Sequence, residues 1–235
     1  MNRGQPGPLN LITDVAGLTV GNAEDRAALT GVTVVLPEAP AVAAADIRGG
    51  APGTREMDAL DPAALVDAIH GIVLSGGSVF GLDAASGAVQ WLAERGVGFT
   101  FGAGYPPCPV VPSAILFDLA NGGDKAWGLE PPYRRLGVAA AEAAAPDFEL
   151  GAVGAGYGAM AGQLKGGTGS ASIVADDGLT VGALVAVNSF GSVVAADGKS
   201  FWAAPFEIGE EFGGDRKSTR LNSSHEIPSR MPSSA

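Results

Sequence analysis

Short apolar runs, each closed by glycine or proline, set the limits on what this chain can fold into. Gly31-Val32-Thr33-Val34-Val35-Leu36 is β-branched and stops at Pro37, which reads as a strand. Gly71-Ile72-Val73-Leu74 is a second such run, turned by Ser75-Gly76-Gly77-Ser78. Further strands are predicted over residues 41–47, 110–117, 150–153, 169–175, 180–187 and 191–196, with Asp176-Asp177-Gly178 as a hairpin turn between two of them. Helical spacing is rarer. Leu82, Ala85, Val89, Leu92 and Ala93 recur at helical intervals until Gly96. Tyr133 to Ala145 is alanine-rich and stops at Pro146, and Asp61-Pro62 opens a short helix running to about Ile69. Mixed βα units followed by a β-meander point to an α/β or α+β fold with helices covering sheets.

Charge and the scarce side chains narrow the function. The 235 residues hold 14 Lys and Arg against 25 Asp and Glu, a net −11. Such a chain lacks the basic surface that nucleic acid or an anionic membrane requires. No run approaches the ~18 apolar residues of a membrane span, and no secretory h-region follows Met1, so a cytoplasmic protein is expected. One cysteine, Cys108, and two histidines, His70 and His225, leave no disulfide framework and no ligand set for a metal. Cys108 has no cationic neighbour in sequence to make it a thiolate. His70 heads an apolar strand and reads as a structural histidine.

Composition changes near residue 215. Residues 215–235 carry four basic and two acidic residues and are dense in Ser and Pro, leaving residues 1–214 at −13. Such a segment buries too little surface to offset its ordering entropy. It also resembles the peptide that translated sequencing-adapter DNA encodes. The expectation is therefore a domain over residues 1–214 and a non-native or disordered tail beyond it.

Several motifs are chemically ambiguous when read one at a time. Gly154-Ala155-Gly156-Tyr157-Gly158-Ala159 fits a relaxed dinucleotide fingerprint, with Asp176 twenty residues beyond Gly156. The glycine-dense segment after it is a poor helix, so a small-acid or nucleotide-binding module built on Gly154–Gly156 stands as the alternative reading. Residues 162–168 have Thr168 where a phosphate loop needs lysine. Ser78 reads as the N-cap of the helix after it. Asn188 closes an apolar strand, where an amide can donate to a developing oxyanion or simply form a turn. Lys165, before Gly166-Gly167, is either a solvated surface lysine or a site residue.

Eight segments taken in order resemble a known family. They are Leu18–Asn22, Thr30–Val35, Asp46-Ile47-Arg48-Gly49-Gly50-Ala51-Pro52-Gly53-Thr54-Arg55-Glu56, Leu74-Ser75-Gly76-Gly77-Ser78-Val79-Phe80-Gly81-Leu82 and Pro112-Ser113-Ala114-Ile115-Leu116-Phe117-Asp118, with three more after them. Val153–Ala159, Lys165–Ser172 and Val181–Asn188 follow. The series is similar to the L-aminopeptidase/D-esterase (DmpA-like) peptidases, which include β-aminopeptidases and nylon-oligomer hydrolases, over residues 10 to 205. The resemblance implies a four-layer αββα sandwich like that of N-terminal-nucleophile hydrolases. It implies amide hydrolysis without cofactor or metal, by a Ser or Thr that self-cleavage exposes and whose own amine helps activate it. It further implies a homo-oligomer acting on a peptide or amide substrate.

By the same resemblance, Asn188 takes the place of the family's active-site Asn, and Lys165 that of the lysine in its Lys-Gly-Gly-x-Gly motif. Some members' catalytic lysine would align nearer Gln163. Gly76, Gly77, Ser78 and Gly156 would wall the substrate site. Phe117 lies where some members carry a tyrosine, so a hydroxyl donor is missing there. No nucleophile is expected within these residues. Asn222-Ser223-Ser224 imitates a cleavage junction, but Pro228 follows too soon for a buried strand. The expected partner is a C-terminal subunit of the same protein.

Overall fold

A computed structural model describes residues 4–195 and 200–207. Strands β1 (Leu18–Asp25) and β2 (Thr30–Pro37) form an antiparallel hairpin, with Leu18 opposite Pro37 and Asp25 opposite Thr30. The Asp25 carboxylate closes the turn by accepting the Ala27 and Ala28 N–H groups at 3.0 and 2.9 Å. After the short β3 (Thr54–Arg55) comes β4 (Ile72–Ser75), antiparallel to β2. Helix α1 (Asp83–Glu94) carries the chain over to β5 (Ser113–Ile115), which lies parallel to β4 and antiparallel to β3. A parallel neighbour requires such a crossover. The sheet order is β1-β2-β4-β5-β3.

Alternation along β2 assigns its two faces. Val32, Val34 and Leu36 point to the helical side and pack with Val73, Leu92 and Leu136. Helix α2 (Tyr133–Glu142) lies beside α1 with small residues between them. A Cβ on Gly87 would strike the Arg134 carbonyl, and one on Gly137 the Ala84 carbonyl. The two backbones are thus in contact, which is why both helices are rich in Ala and Gly rather than in large apolar residues.

Thr33 points to the opposite face. Its hydroxyl donates to Asn22 Oδ1 at 2.7 Å and accepts the Ala155 N–H at 2.9 Å. The turn at Gly154–Gly156 therefore sits on this face of the sheet. It leads through the small β6 (Met160–Ala161) and β7 (Leu164–Lys165) pair into the hairpin of β8 (Gly167–Val174) and β9 (Thr180–Val187). The inner side of that hairpin is covered by the N-terminal strap: Ser172 accepts the Gly7 N–H and donates to Asp14, and Ser170 accepts the Ile12 N–H. Helices, sheet and hairpin form three successive layers of a mixed α+β fold. The outer side of the hairpin is open, with Val181 and Val185 about half exposed (53% and 51%).

Both long helices and the 176–178 turn form where the sequence places them, with Gly178 left-handed at φ 85°. Four expected elements are corrected. Residues 41–47 pair only at Ala41, opposite Ile69, because Val42 points into solvent with nothing to pack on. The helix expected after Asp61 stops within a turn, with Ala64 N–H on the Asp61 carbonyl and Leu65 exposed, since an uncovered short helix does not stand alone. Residues 150–153 and 191–195 make single bridges, Gly151 to Thr168 and Val194 to Phe201, rather than strands. Ser78 does not cap α1. It has φ 53° and starts a 3₁₀ turn, Ser78–Leu82, that runs directly into the helix.

His70 is structural, as expected. Its Nδ1 accepts the Val110 N–H at 3.1 Å in a buried setting, and burial lowers its pKa below the ordinary 6.5. The unfolded chain therefore binds the proton first, and stability should fall as pH drops below about 6.5. Melting temperatures from pH 8 to pH 5 should decline more steeply for the wild type than for His70→Asn, which keeps an acceptor but does not titrate. Parallel curves would mean that His70 protonates equally well in the folded protein.

Candidate active site

Three strands end at one place. β4 and β5 are parallel, so their carboxyl ends lie side by side, and these emit Gly76-Gly77-Ser78 and Leu116-Phe117-Asp118. Clefts at the carboxyl ends of parallel strands are the usual ligand sites of open sheets. The Leu116 N–H donates to the Ser75 carbonyl at 2.8 Å, and the Ser78 N–H donates back to the Leu116 carbonyl at 2.9 Å. The hairpin layer contributes Asn188, the residue after β9. Asn188 Nδ2 donates to the Phe117 carbonyl at 2.9 Å, and Oδ1 accepts the Met160 N–H at 2.9 Å.

These two bonds fix the orientation of the Asn188 amide. The carboxamide carbon cannot rotate without breaking both, so oxygen and nitrogen each face a known partner. Nitrogen has two hydrogens. One goes to Phe117, and the other has a set direction at the end of the strand. An amide held this way is suited to stabilise negative charge on a bound group.

Lys165 reaches the same neighbourhood through β6–β7, where it stands opposite Met160. The Gly166 N–H donates to the Ala159 carbonyl at 2.8 Å, and a Cβ on Gly166 would strike the Val187 carbonyl. Lys165 thus enters beside the end of β9, with its side chain exposed. Next to it is an open hollow of about 280 Å³, walled mainly by apolar groups of Leu164, Val187, Val193 and Phe201. Phe117 is 57% exposed at the mouth of the β4–β5 loops.

The backbone N–H groups of both glycine loops are already engaged. Gly76 N–H bonds the Gly31 carbonyl, Gly77 N–H the Asp118 carboxylate, and Ser78 N–H the Leu116 carbonyl. Gly154, Ala155 and Gly156 N–H groups go to Glu24, Thr33 and Thr168 at 2.6, 2.9 and 3.1 Å. The dinucleotide alternative is thereby corrected: a phosphate cradle needs free backbone N–H groups at a helix start. Here they are consumed, and the chain goes on to β6 rather than to a helix. Gly156 instead permits close approach, since a Cβ there would strike the Gly167–Thr168 backbone.

One residue carries no signal in the sequence patterns read individually. Asp118 is 3% exposed beneath the Gly76–Ser78 loop. Its Oδ1 accepts the Gly77 N–H at 2.7 Å and its Oδ2 accepts the Thr30 hydroxyl at 2.6 Å. Burial raises its pKa, opposed by these two bonds and by Lys125. Lys125 is itself lowered by burial and bonds Asn121 Oδ1 and the Ala28 carbonyl. The Tyr133 ring is packed against Gly77, and its hydroxyl is pushed up to about 12, chiefly by burial. In the sequence only its place in the Leu116-Phe117-Asp118 motif marks it.

A family model, described as Peptidase family S58, matches residues 10–223. The chain belongs to peptidase family S58. An uncharacterized aminopeptidase of Mycobacterium tuberculosis is 46% identical over 194 residues, which cover 79% of this chain and 55% of that protein. The 6-aminohexanoate-oligomer endohydrolase of a Kocuria species is 34% identical over 152 residues, 64% of this chain and 39% of the relative. The chain thus spans about half the length of the M. tuberculosis relative and less of the other.

Among solved structures, a β-aminopeptidase of a Burkholderia species aligns at TM-score 0.61 and 27% identity, over 82% of this chain and 56% of that one. The L-aminopeptidase D-Ala-esterase/amidase of Ochrobactrum anthropi, described as a variant of the Ntn hydrolase fold, aligns at TM-score 0.65 and 24% identity over 82% and 56%. The fold of this S58 chain is that of these aminopeptidases. Among the described residues no helix is long and apolar enough to cross a membrane. The boundary expected at residue 214 and the Asn222-Ser223 junction lie outside the described residues.

Proposed function

We propose that this S58 chain is the first-subunit part of a self-processing amide hydrolase that releases residues from the N-terminus of a peptide or a related amide. The observation that carries the reading is the Asn188 amide, held by Met160 and Phe117, whose second N–H has no acceptor among the described residues. In this mechanism a Ser or Thr hydroxyl, freed at the start of a C-terminal subunit, attacks the substrate carbonyl carbon. Its proton passes to the nucleophile's own α-amine. The remaining Asn188 N–H bonds the carbonyl oxygen as it becomes an oxyanion. Collapse expels the amine, which takes that proton back from the α-ammonium, and water then gives its proton to the freed α-amine as it cleaves the ester. Neither a histidine nor a metal is required.

Other features support the reading. Lys165 and the apolar hollow beside it suit the acyl side of a substrate with an apolar side chain. The exposed Phe117, whose carbonyl holds the Asn188 amide, suits a contact with the same substrate. The open outer side of the β8–β9 hairpin suits the missing C-terminal subunit, and the covered length of the relatives leaves room for one. The test is to purify the full-length protein and follow subunit mass together with p-nitroaniline release from aminoacyl p-nitroanilides. Two fragments, the second beginning with Ser or Thr, and hydrolysis that tracks their appearance are expected. An uncleaved chain that hydrolyses at full rate would sink the self-processing reading.

A further inference from the structure

We propose that Asp118 is a positioning residue of this site: its buried carboxylate ties the Gly76–Ser78 loop to the Phe117 carbonyl, which in turn aims the Asn188 amide. This rests on the reading of Asn188 given above. The carboxylate oxygens divide their work. Oδ1 takes the Gly77 N–H at 2.7 Å and Oδ2 takes the Thr30 hydroxyl at 2.6 Å, so Asp118 joins the ends of β2 and β4 to the segment after β5. Phe117 is the adjacent residue, and its carbonyl accepts Asn188 Nδ2. Two constraints on consecutive residues leave that carbonyl little freedom.

The loop geometry shows what the clamp holds. Gly77 and Ser78 are successive left-handed residues, at φ 83° and 53°. Ser78 has a Cβ, so this conformation costs energy and persists only where surroundings over-determine it. Asp118 supplies the bond on Gly77, while the Leu116 carbonyl supplies that on Ser78. Space is filled to match: a Cβ on Gly76 would strike the Asp118 carboxylate and the Thr30 hydroxyl, and one on Gly77 the Tyr133 ring. On the far side, a Cβ on Gly158 would come within 2.7 Å of the same Asp118 oxygen. Both glycine loops therefore close around one carboxylate, and Met160, the other partner of Asn188, follows two residues after Gly158.

Replacing Asp118 by Asn keeps size and an acceptor for the Gly77 N–H, but it removes the buried charge and turns the acceptor of the Thr30 hydroxyl into an N–H₂ donor. A misplacement of about an ångström in catalytic groups costs up to ~100-fold. The test is a double-mutant cycle in the full-length protein. Asp118→Asn should lower kcat by roughly 10-fold or more with KM changed by less than about twofold, and Thr30→Val should lower kcat in the same direction. In the Asn188→Ala background the same Asp118→Asn change should cost less than about threefold, because residues acting as a unit are not additive. Leu92→Ala, a core variant far from the loops, controls for lowered stability and should leave kcat near wild type below its melting temperature.

Full additivity of Asp118→Asn with Asn188→Ala, or an Asp118→Asn enzyme with normal kcat, would overturn the proposal. A near-normal Asn188→Ala enzyme would instead remove the reading on which it rests. Hydrogen exchange gives a readout independent of turnover: peptides covering 76–80 should exchange faster in Asp118→Asn while those within α1 do not. Unchanged exchange at 76–80 also counts against the clamp.

Discussion

Asn188→Ala should lower turnover of the full-length protein by about 100-fold or more, the usual cost of deleting one oxyanion donor. The expectation is specific to kcat, because the donor acts on charge that develops only in the transition state. The substitution removes the bond to Phe117 and the bond from Met160 together, so a second variant is needed to separate donation from architecture. Asn188→Asp keeps an acceptor for the Met160 N–H but has no hydrogen for an oxyanion and brings a negative charge. It should be at least as inactive as Asn188→Ala while retaining more of its structure. Burst and steady-state assays on an aminoacyl p-nitroanilide, with melting curves on the same samples, decide the matter. A near-normal rate would return Asn188 to the role of a strand-end turn residue.

Residues 1–235 expressed by themselves should neither cleave themselves nor hydrolyse amides. This is an all-or-none expectation, and it rests on the surroundings of the hydroxyl beside Asn188. The hydroxyl adjacent to Asn188 in the chain, that of Ser189, donates to the Gly191 carbonyl at 2.9 Å, and the Ser189 carbonyl accepts the Gly162 N–H at 3.2 Å. It follows Asn188 directly, so cutting there would make Asn188 a chain end and put a new carboxylate beside its amide donor. Such a chain should also be poorly soluble. Leu179, Val181 and Val185 are exposed along one ribbon, and Phe190 beyond it is exposed as well. Contiguous apolar surface of that kind invites association. Intact mass and p-nitroaniline release followed over days provide the check. Cleavage before Ser189 or Ser223, or activity abolished by mutating either, would place the nucleophile within these residues and refute the two-subunit reading.

Much of the frame was legible from the sequence because it depends on local patterns. Alternation in Gly31–Leu36, helical spacing from Leu82 to Ala93 and the Asp176-Asp177-Gly178 turn each specify their element within a few residues. Where local preference had no surface to pack on, as at Val42 and Leu65, the expected strand and helix did not form. The ordered motifs also led to the right family, since eight short matches in sequence constrain far more than any one of them.

The site divides the same way. Sequence alone determined that Asn188 ends an apolar strand, that the glycine loops are not linkers, and that histidine and metal chemistry are poorly provided for. Only the tertiary structure decided which way the Asn188 amide faces, since both its partners, Phe117 and Met160, lie on other elements, 71 and 28 residues away. The same holds for the backbone N–H groups of Gly154–Gly156, which look like a phosphate cradle until Glu24, Thr33 and Thr168 are seen to occupy them. Asp118 is the clearest case. A lone aspartate after an apolar run is ordinarily a surface residue. Its role arises because parallel β4 and β5 bring Gly77 and Asp118 together and β2 supplies Thr30, and hydrogen bonds between distant segments leave no period or spacing in the chain to be read.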